Sequence, residues 1–275
     1  FLVVGTGVEQ SIAKSRIATL RNNRLISWRR ISLVVVILAL FLAWRNALQG
    51  RCDWNGAWRL ALAIFSLEIV ASLLQSDHHL LHLQHEASLM WTAIAGALSR
   101  GVRWWLYYIA LEPFARRLYP HMLTSWSRGI SGRYSDPLLG RDILLGAMVA
   151  VWIHLTIVSI RLLATRWLGM TEHNPPLAFI PNLQTLSGAR FLFGDLARWA
   201  QVGLGTIYWA FWVVLLRYVL RLEWLAVIAF VLLNGLSRTS LSEPLSLVYL
   251  LHFAAIAIVL TRIGVVGAGS LLFCS

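Results

Sequence analysis

The stretch Ile143–Ile160, ILLGAMVAVWIHLTIVSI, decides the fold class, because eighteen consecutive residues pass without an Asp, Glu, Lys or Arg. A helix that crosses a bilayer needs about 20 mostly apolar residues. Working outward, the same kind of run recurs at Ile31–Trp44, Ala57–Leu74, Ala87–Ala110, Trp199–Leu216, Trp224–Leu236 and Leu245–Thr261, and an eighth opens near Ile263. One short apolar run can be the buried helix of a soluble domain. The set cannot, because 58% of the 275 residues are hydrophobic, only 13% are charged, and mean hydropathy is +0.68. A soluble domain carries about 25% charged residues, so too little polar chain remains to cover that many core helices. The reading is therefore an all-α, polytopic helical membrane protein with about seven to eight transmembrane helices plus an interfacial amphipathic segment.

Residues 1–30 form a polar, basic stem, and 31–275 the helical transmembrane domain. A signal peptide is disfavoured for the first span by the length of chain before it and the lack of a small-residue cleavage site. Phe1 in place of Met, and an apolar run that continues to Ser275, mark the chain as a piece of a longer protein.

Lys and Arg total 24 against 12 Asp and Glu, and Lys14 is the single lysine. The arginines lie between apolar runs, which points to the bilayer and its anionic headgroups as partners and away from nucleic acid. Self-association through the membrane domain is a further partner class. Basic residues divide almost evenly between alternate loops. Discounting the long Arg161–Arg198 loop and residues 1–30 places Arg45–Arg59 and Leu111–Arg141 in the cytoplasm.

Several residues invite chemistry. His78, His82 and His85 fall at i, i+4, i+7 beside Glu86, a spacing that puts three imidazoles on one helical face and makes them weak metal candidates. With no cysteine contributing, a half-buried surface loop accounts for them as well. Cys52 and Cys274 lie too far apart for a disulfide framework or a zinc motif. Glu68 interrupts the second span, and Arg100 and Arg103 the third. Charges at that depth cost a few kcal/mol and take partners. In an antiparallel hairpin the offset between Glu68 and Arg100 is about 8 Å, within reach of an arginine, so an intramembrane ion pair is expected. Arg103 is expected to reach back to the interface.

The chain leaves the third span through Glu112-Pro113, and Pro113 is expected to disfavour a continued straight helix. Phe114, Leu118, Met122, Leu123 and Trp126 then alternate with Arg116, Arg117, Arg128 and Arg133. That pattern suits a segment lying in the interface, with Trp126 and the four arginines facing lipid. Asp136-Pro137 turns the chain, and Asp142 is expected to cap the fourth span.

No P-loop, GxGxxG, HExxH, GxSxG or protein-kinase signature occurs, and Gly140-Arg141-Asp142 is not a catalytic His-Arg-Asp. No catalytic residue and no cofactor is expected in this chain.

Two stretches carry a resemblance: Arg45–Ala61, RNALQGRCDWNGAWRLA, and Leu106–Leu145, LYYIALEPFARRLYPHMLTSWSRGISGRYSDPLLGRDILL. They resemble the C-terminal transmembrane region of bacterial, Acidobacteria-type eukaryotic-like serine/threonine protein kinases. Positions that fit include Asn46, Gly50, Asp53, Gly56 and Arg59 in the first. In the second they include Glu112, Pro113, Arg116, Arg117, Trp126, Arg128, Asp136, Pro137 and Asp142. His78-His79 and Arg217–Leu236 fit as well. Cys52 departs from the pattern, which has glycine there, and residues 1–30 match no stem of that family. The resemblance implies a bacterial inner-membrane, multi-pass, non-catalytic anchor, sensor or signal-transmission domain that follows a cytoplasmic kinase domain. Two rivals come from other classes. One is a small transporter or channel with a polar site near Glu68 and Arg100; the other is an integral membrane enzyme acting on lipid.

Overall fold

The structure is a computed structural model and describes residues 33–50, 52–76, 83–168, 188–238 and 248–274. The described residues are helical, with no strand among them. The helices are α1 (Leu33–Leu48), α2 (Trp54–Gln75), α3 (Leu83–Leu118), α4 (Thr124–Ile130), α5 (Pro137–Leu168), α6 (Ala189–Leu204), α7 (Thr206–Leu220), α8 (Glu223–Arg238), α9 (Val248–Arg262) and α10 (Val265–Cys274).

Three of these are long and apolar enough to cross a membrane: Trp54–Gln75, Pro137–Trp167, and Ala189–Leu220, which joins α6 and α7. Seven to eight full spans is more than the described helices supply, and length is one reason. Within the described residues, Leu33–Leu48, Val248–Arg262 and Val265–Cys274 are apolar helical stretches of fewer than 18 residues, against the roughly 20 that a span needs. The other reason is charge. α3 has 36 residues, but Arg100, Arg103, Glu112, Arg116 and Arg117 dilute its apolar run. The expected eighth span is the ten-residue α10, set off from α9 by Gly264 at φ +119 and packed back among α5, α6 and α9.

Consecutive and sequence-distant helices both pack together, with α10 lying against α5. α2 packs on α3 and α6, α3 on α7, α7 on α8, and α8 on α9. The centre is aromatic: Tyr107 meets Phe211 and Tyr208, while Trp209, Phe230 and Phe253 pack edge to face. The outside is apolar too. Only 11% of the most apolar window of α5 is buried, and Leu144, Trp152, Leu155 and Trp167 stand exposed on it.

One end of the bundle collects several of the described connections. The α1–α2 turn reaches Glu112 on α3, and Arg59 on α2 reaches the end of α4. The segment after α3 meets the α9–α10 turn, where the Val265 N–H donates to the Met122 carbonyl at 3.0 Å. Arg217, near the α7–α8 turn, lies over the Tyr119 ring.

Candidate functional site

The charges inside the helices come together as a triad. Arg100 Nη1 on α3 lies 2.7 Å from Glu68 Oε2 on α2, and Gln201 on α6 joins them. Gln201 Nε2 donates to Glu68 Oε2 at 2.7 Å, and its Oε1 accepts from Arg100 Nη1 at 3.1 Å. Glu68 and Gln201 are buried, while Arg100 is half exposed. A carboxylate among hydrocarbon groups must meet donors, and α3 and α6 supply them. Next to Arg100 in the chain, Gly101 lets α3 approach the Ala61 carbonyl of α2, where a Cβ would sit at 3.2 Å. Seven residues further along α2, Gln75 Nε2 donates to Asp195 of α6 at 2.6 Å. Gln201 and Asp195 escaped the sequence reading, although each is a polar residue within or beside an apolar run. Arg103 is exposed and forms no ion pair with a described residue.

The second polar group lies where the turns gather. Glu112, 4% exposed, accepts from the Asp53 N–H at 2.8 Å and from Arg116 Nε at 2.8 Å, one helical turn on. Asp53 caps α2, accepting from the Gly56 N–H at 2.9 Å, and also accepts from the Tyr108 hydroxyl at 3.2 Å. Gly56 has no side chain for a spatial reason, since a Cβ there would press on the Tyr108 hydroxyl at 2.8 Å. Burial, and then the Glu112 carboxylate, push the Cys52 thiol above its ordinary pKa and leave little thiolate at neutral pH.

α3 runs on through Pro113 to Leu118, where the proline was expected to disfavour a continued straight helix. The reason is a donor from elsewhere. Proline has no N–H to give to the carbonyl four residues back, which is Ile109. Asn46 of α1 donates its Nδ2 to that carbonyl at 3.0 Å and to Ala110 O at 3.3 Å. α1 thereby replaces the missing hydrogen bond.

The segment after α3 is tucked in rather than laid along a surface. Trp126 was expected to face lipid, but it is 6% exposed and belongs to the core with Met122 and Leu123. α4 is only seven residues long, and α2, α5 and α10 pack against it. Of the four arginines, Arg116 pairs with Glu112 and Arg128 with Asp136 at 2.7 Å, while Arg117 and Arg133 are exposed. The cap of the fourth apolar run also moves. Asp136, with Pro137 in the first helical position, accepts from the Leu138 N–H at 2.9 Å. Asp142 lies inside α5, 1% exposed, accepting from the Ser125 hydroxyl and from Arg141. The Leu138 N–H and then the Arg128 guanidinium hold the Asp136 carboxyl below its ordinary pKa.

His78 and His82 lie outside the described residues, as does the side chain of His85. Among the described residues no three of His, Cys, Asp and Glu gather as metal ligands. Glu68, Glu112 and Asp142 each accept at least two hydrogen bonds from the described residues, and such carboxylates fix helices in register. No protein-family model, no curated protein and no solved structure matches the chain.

Proposed function

We propose that the chain is a multi-pass helical membrane module of a bacterial inner membrane, working as an anchor and signal-transmission domain without chemistry of its own. One observation carries this reading. The turns and their charged side chains are cross-linked at one end of a bundle whose outer surface is apolar. A water-soluble monomer rarely exposes contiguous apolar patches beyond a few hundred Å², whereas lipid tails cover such a surface. The resemblance to the membrane region of receptor-like serine/threonine kinases supports the setting: a kinase domain on the same chain, with the clasped end facing the cytoplasm. In that setting the clasp links α1, α2 and α3, so displacing α1 pulls on the hairpin that carries Glu68 and Arg100.

The test has two parts. After carbonate washing the protein should stay in the membrane pellet and dissolve only with detergent; a folded, monodisperse soluble fraction would end the reading. Genomic sequence upstream of Phe1 should continue into a frame with His-Arg-Asp and Asp-Phe-Gly, and the isolated chain should neither bind ATP nor phosphorylate itself.

A transporter reading has its own observation, the Glu68–Arg100–Gln201 triad inside the helices. The two readings part on Glu68→Leu combined with Arg100→Leu. A purely structural pair is replaced by apolar side chains at little cost, so the anchor stays folded and signals; a transport pathway loses its flux.

A further inference from the structure

The geometry points to a built seat for one acyl chain of an anionic phospholipid, with its phosphate on Arg59. A cavity of about 660 Å³ opens among α2, the α4–α5 connection, α6 and α10, inside the range of about 300–1,000 Å³ typical of ligand sites. Its two ends differ in chemistry. At the clasped end stand Arg59, Ser131, Gly132 and the exposed Tyr134. Along the helices the walls are Leu60, Ala63, Ala200, Leu204 and Phe273, with no charge among them. Ser270 also lines the space, but its hydroxyl donates to the Ile143 carbonyl at 2.7 Å. From Val265 to Phe273 the cavity follows α10 for about 12 Å at 1.5 Å per residue.

That gradient selects the occupant. Arg59 gives Nη1 to the Ile130 carbonyl at 2.7 Å, which fixes the guanidinium at the mouth. The rest of its N–H fork stays available, and a planar fork suits a phosphate. Neighbouring charge also favours an anion: Arg133 sits in sequence between two lining residues, and the protein carries +12 overall. Beyond the mouth an uncharged walled space fits a hydrocarbon chain and offers a second phosphate nothing. The small side chains of Ala63 and Ala200 leave the width a chain needs. The seat is separate from the surface arginines Arg116 and Arg117. It rests on the reading of the chain as a membrane module, whose failure would show first as recovery in the soluble fraction, before any lipid is measured.

The experiment uses the full chain in nanodiscs of mixed phosphatidylglycerol and phosphatidylcholine, released into native mass spectrometry. One phosphatidylglycerol should remain per chain, in preference to phosphatidylcholine. Arg59→Gln should weaken its retention about tenfold, the scale of one charge-assisted contact. Ala63→Trp, which fills the slot and leaves the Arg59–Ile130 bond in place, should abolish retention; Arg117→Gln should change nothing. Equal retention of the two lipids, retention that survives Ala63→Trp, or equal losses in Arg59→Gln and Arg117→Gln would overturn the seat.

Discussion

The clasp around Glu112 and the wedge made by α10 hold the same bundle together by opposite means. In the clasp, helices are tied by directional bonds: Glu112 to the Asp53 N–H and Arg116, and Asn46 to the carbonyl that Pro113 leaves free. In the wedge, backbones touch. A Cβ on Gly146 of α5 would overlap the Gly267 carbonyl oxygen of α10, and one on Gly203 of α6 would lie 3.0 Å from the Gly269 carbonyl oxygen. Where lipid surrounds the helices, no hydrophobic gain drives helix against helix, and close packing and interhelical hydrogen bonds remain. Directional bonds dominate where the described turns gather, whereas close backbone contact dominates where α10 enters, with the Ser270–Ile143 hydrogen bond beside it. The clasp should therefore answer to chemistry at constant size, and the wedge to size alone.

The largest effect is expected in the wedge. Gly146→Val puts two methyl groups where a backbone carbonyl stands, and backbone cannot rotate aside as a side chain can. Overpacking costs about 1–3 kcal/mol and occasionally more, so a loss of about 3 kcal/mol is expected in denaturant unfolding in detergent. A neutral result would mean that α10 does not pack on α5 as described. Next comes the clasp. Glu112→Ala strips the acceptor from the Asp53 N–H and from Arg116 in a buried place, at about 2–3 kcal/mol. Glu112→Gln, of the same size with an acceptor retained, should recover about half. If the two variants are equally damaging, chemistry at constant size is not what the clasp reads.

A double-mutant cycle sharpens the comparison at smaller scale. Asn46→Ala orphans the Ile109 carbonyl and should cost about 1–2 kcal/mol. In a Pro113→Ala background residue 113 regains its N–H, so the same change should cost about 1 kcal/mol less. Strict additivity would break the link between Asn46 and the proline.

Smallest is the Asp136 cap. Its carboxyl is held below the ordinary 3.8 by the Leu138 N–H and the Arg128 guanidinium. A depressed acid contributes stability that is present above its unfolded pKa and is lost as pH falls through its folded one. Unfolding midpoints followed downward from pH 5 should therefore fall more for the parent chain than for Asp136→Asn, and high salt should shrink the difference because the Arg128 guanidinium that pairs with it is partly exposed. Parallel pH profiles would remove Asp136 from the account.

How much of this was legible depends on what each feature leaves in the sequence. A charge inside an apolar run announces itself, so Glu68 and Arg100 were found and their antiparallel offset followed from helical rise. Gln201 is a milder interruption and was passed over. Pro113 was read by its local rule, and the rule failed because Asn46, far away in sequence, supplies the missing donor. Trp126 was placed at the lipid surface because alternating apolar and basic residues look alike on a membrane interface and on a protein surface; its burial comes with the packing of α4 against α2, α5 and α10. Glycines 146, 203, 267 and 269 looked like any others. Their role is set by which backbone lies opposite, and one strand of sequence does not record that.

The central claim is that the chain crosses the membrane with the α1–α2 turn and the α4–α5 connection on one side and the end of α2 on the other. Single-cysteine labelling tests it most directly, with Cys52 and Cys274 replaced by Ser. In intact cells an impermeant maleimide should label Ser76→Cys, at the far end of α2, and spare Ser131→Cys until the membrane is opened. Equal labelling of both from outside would contradict the account.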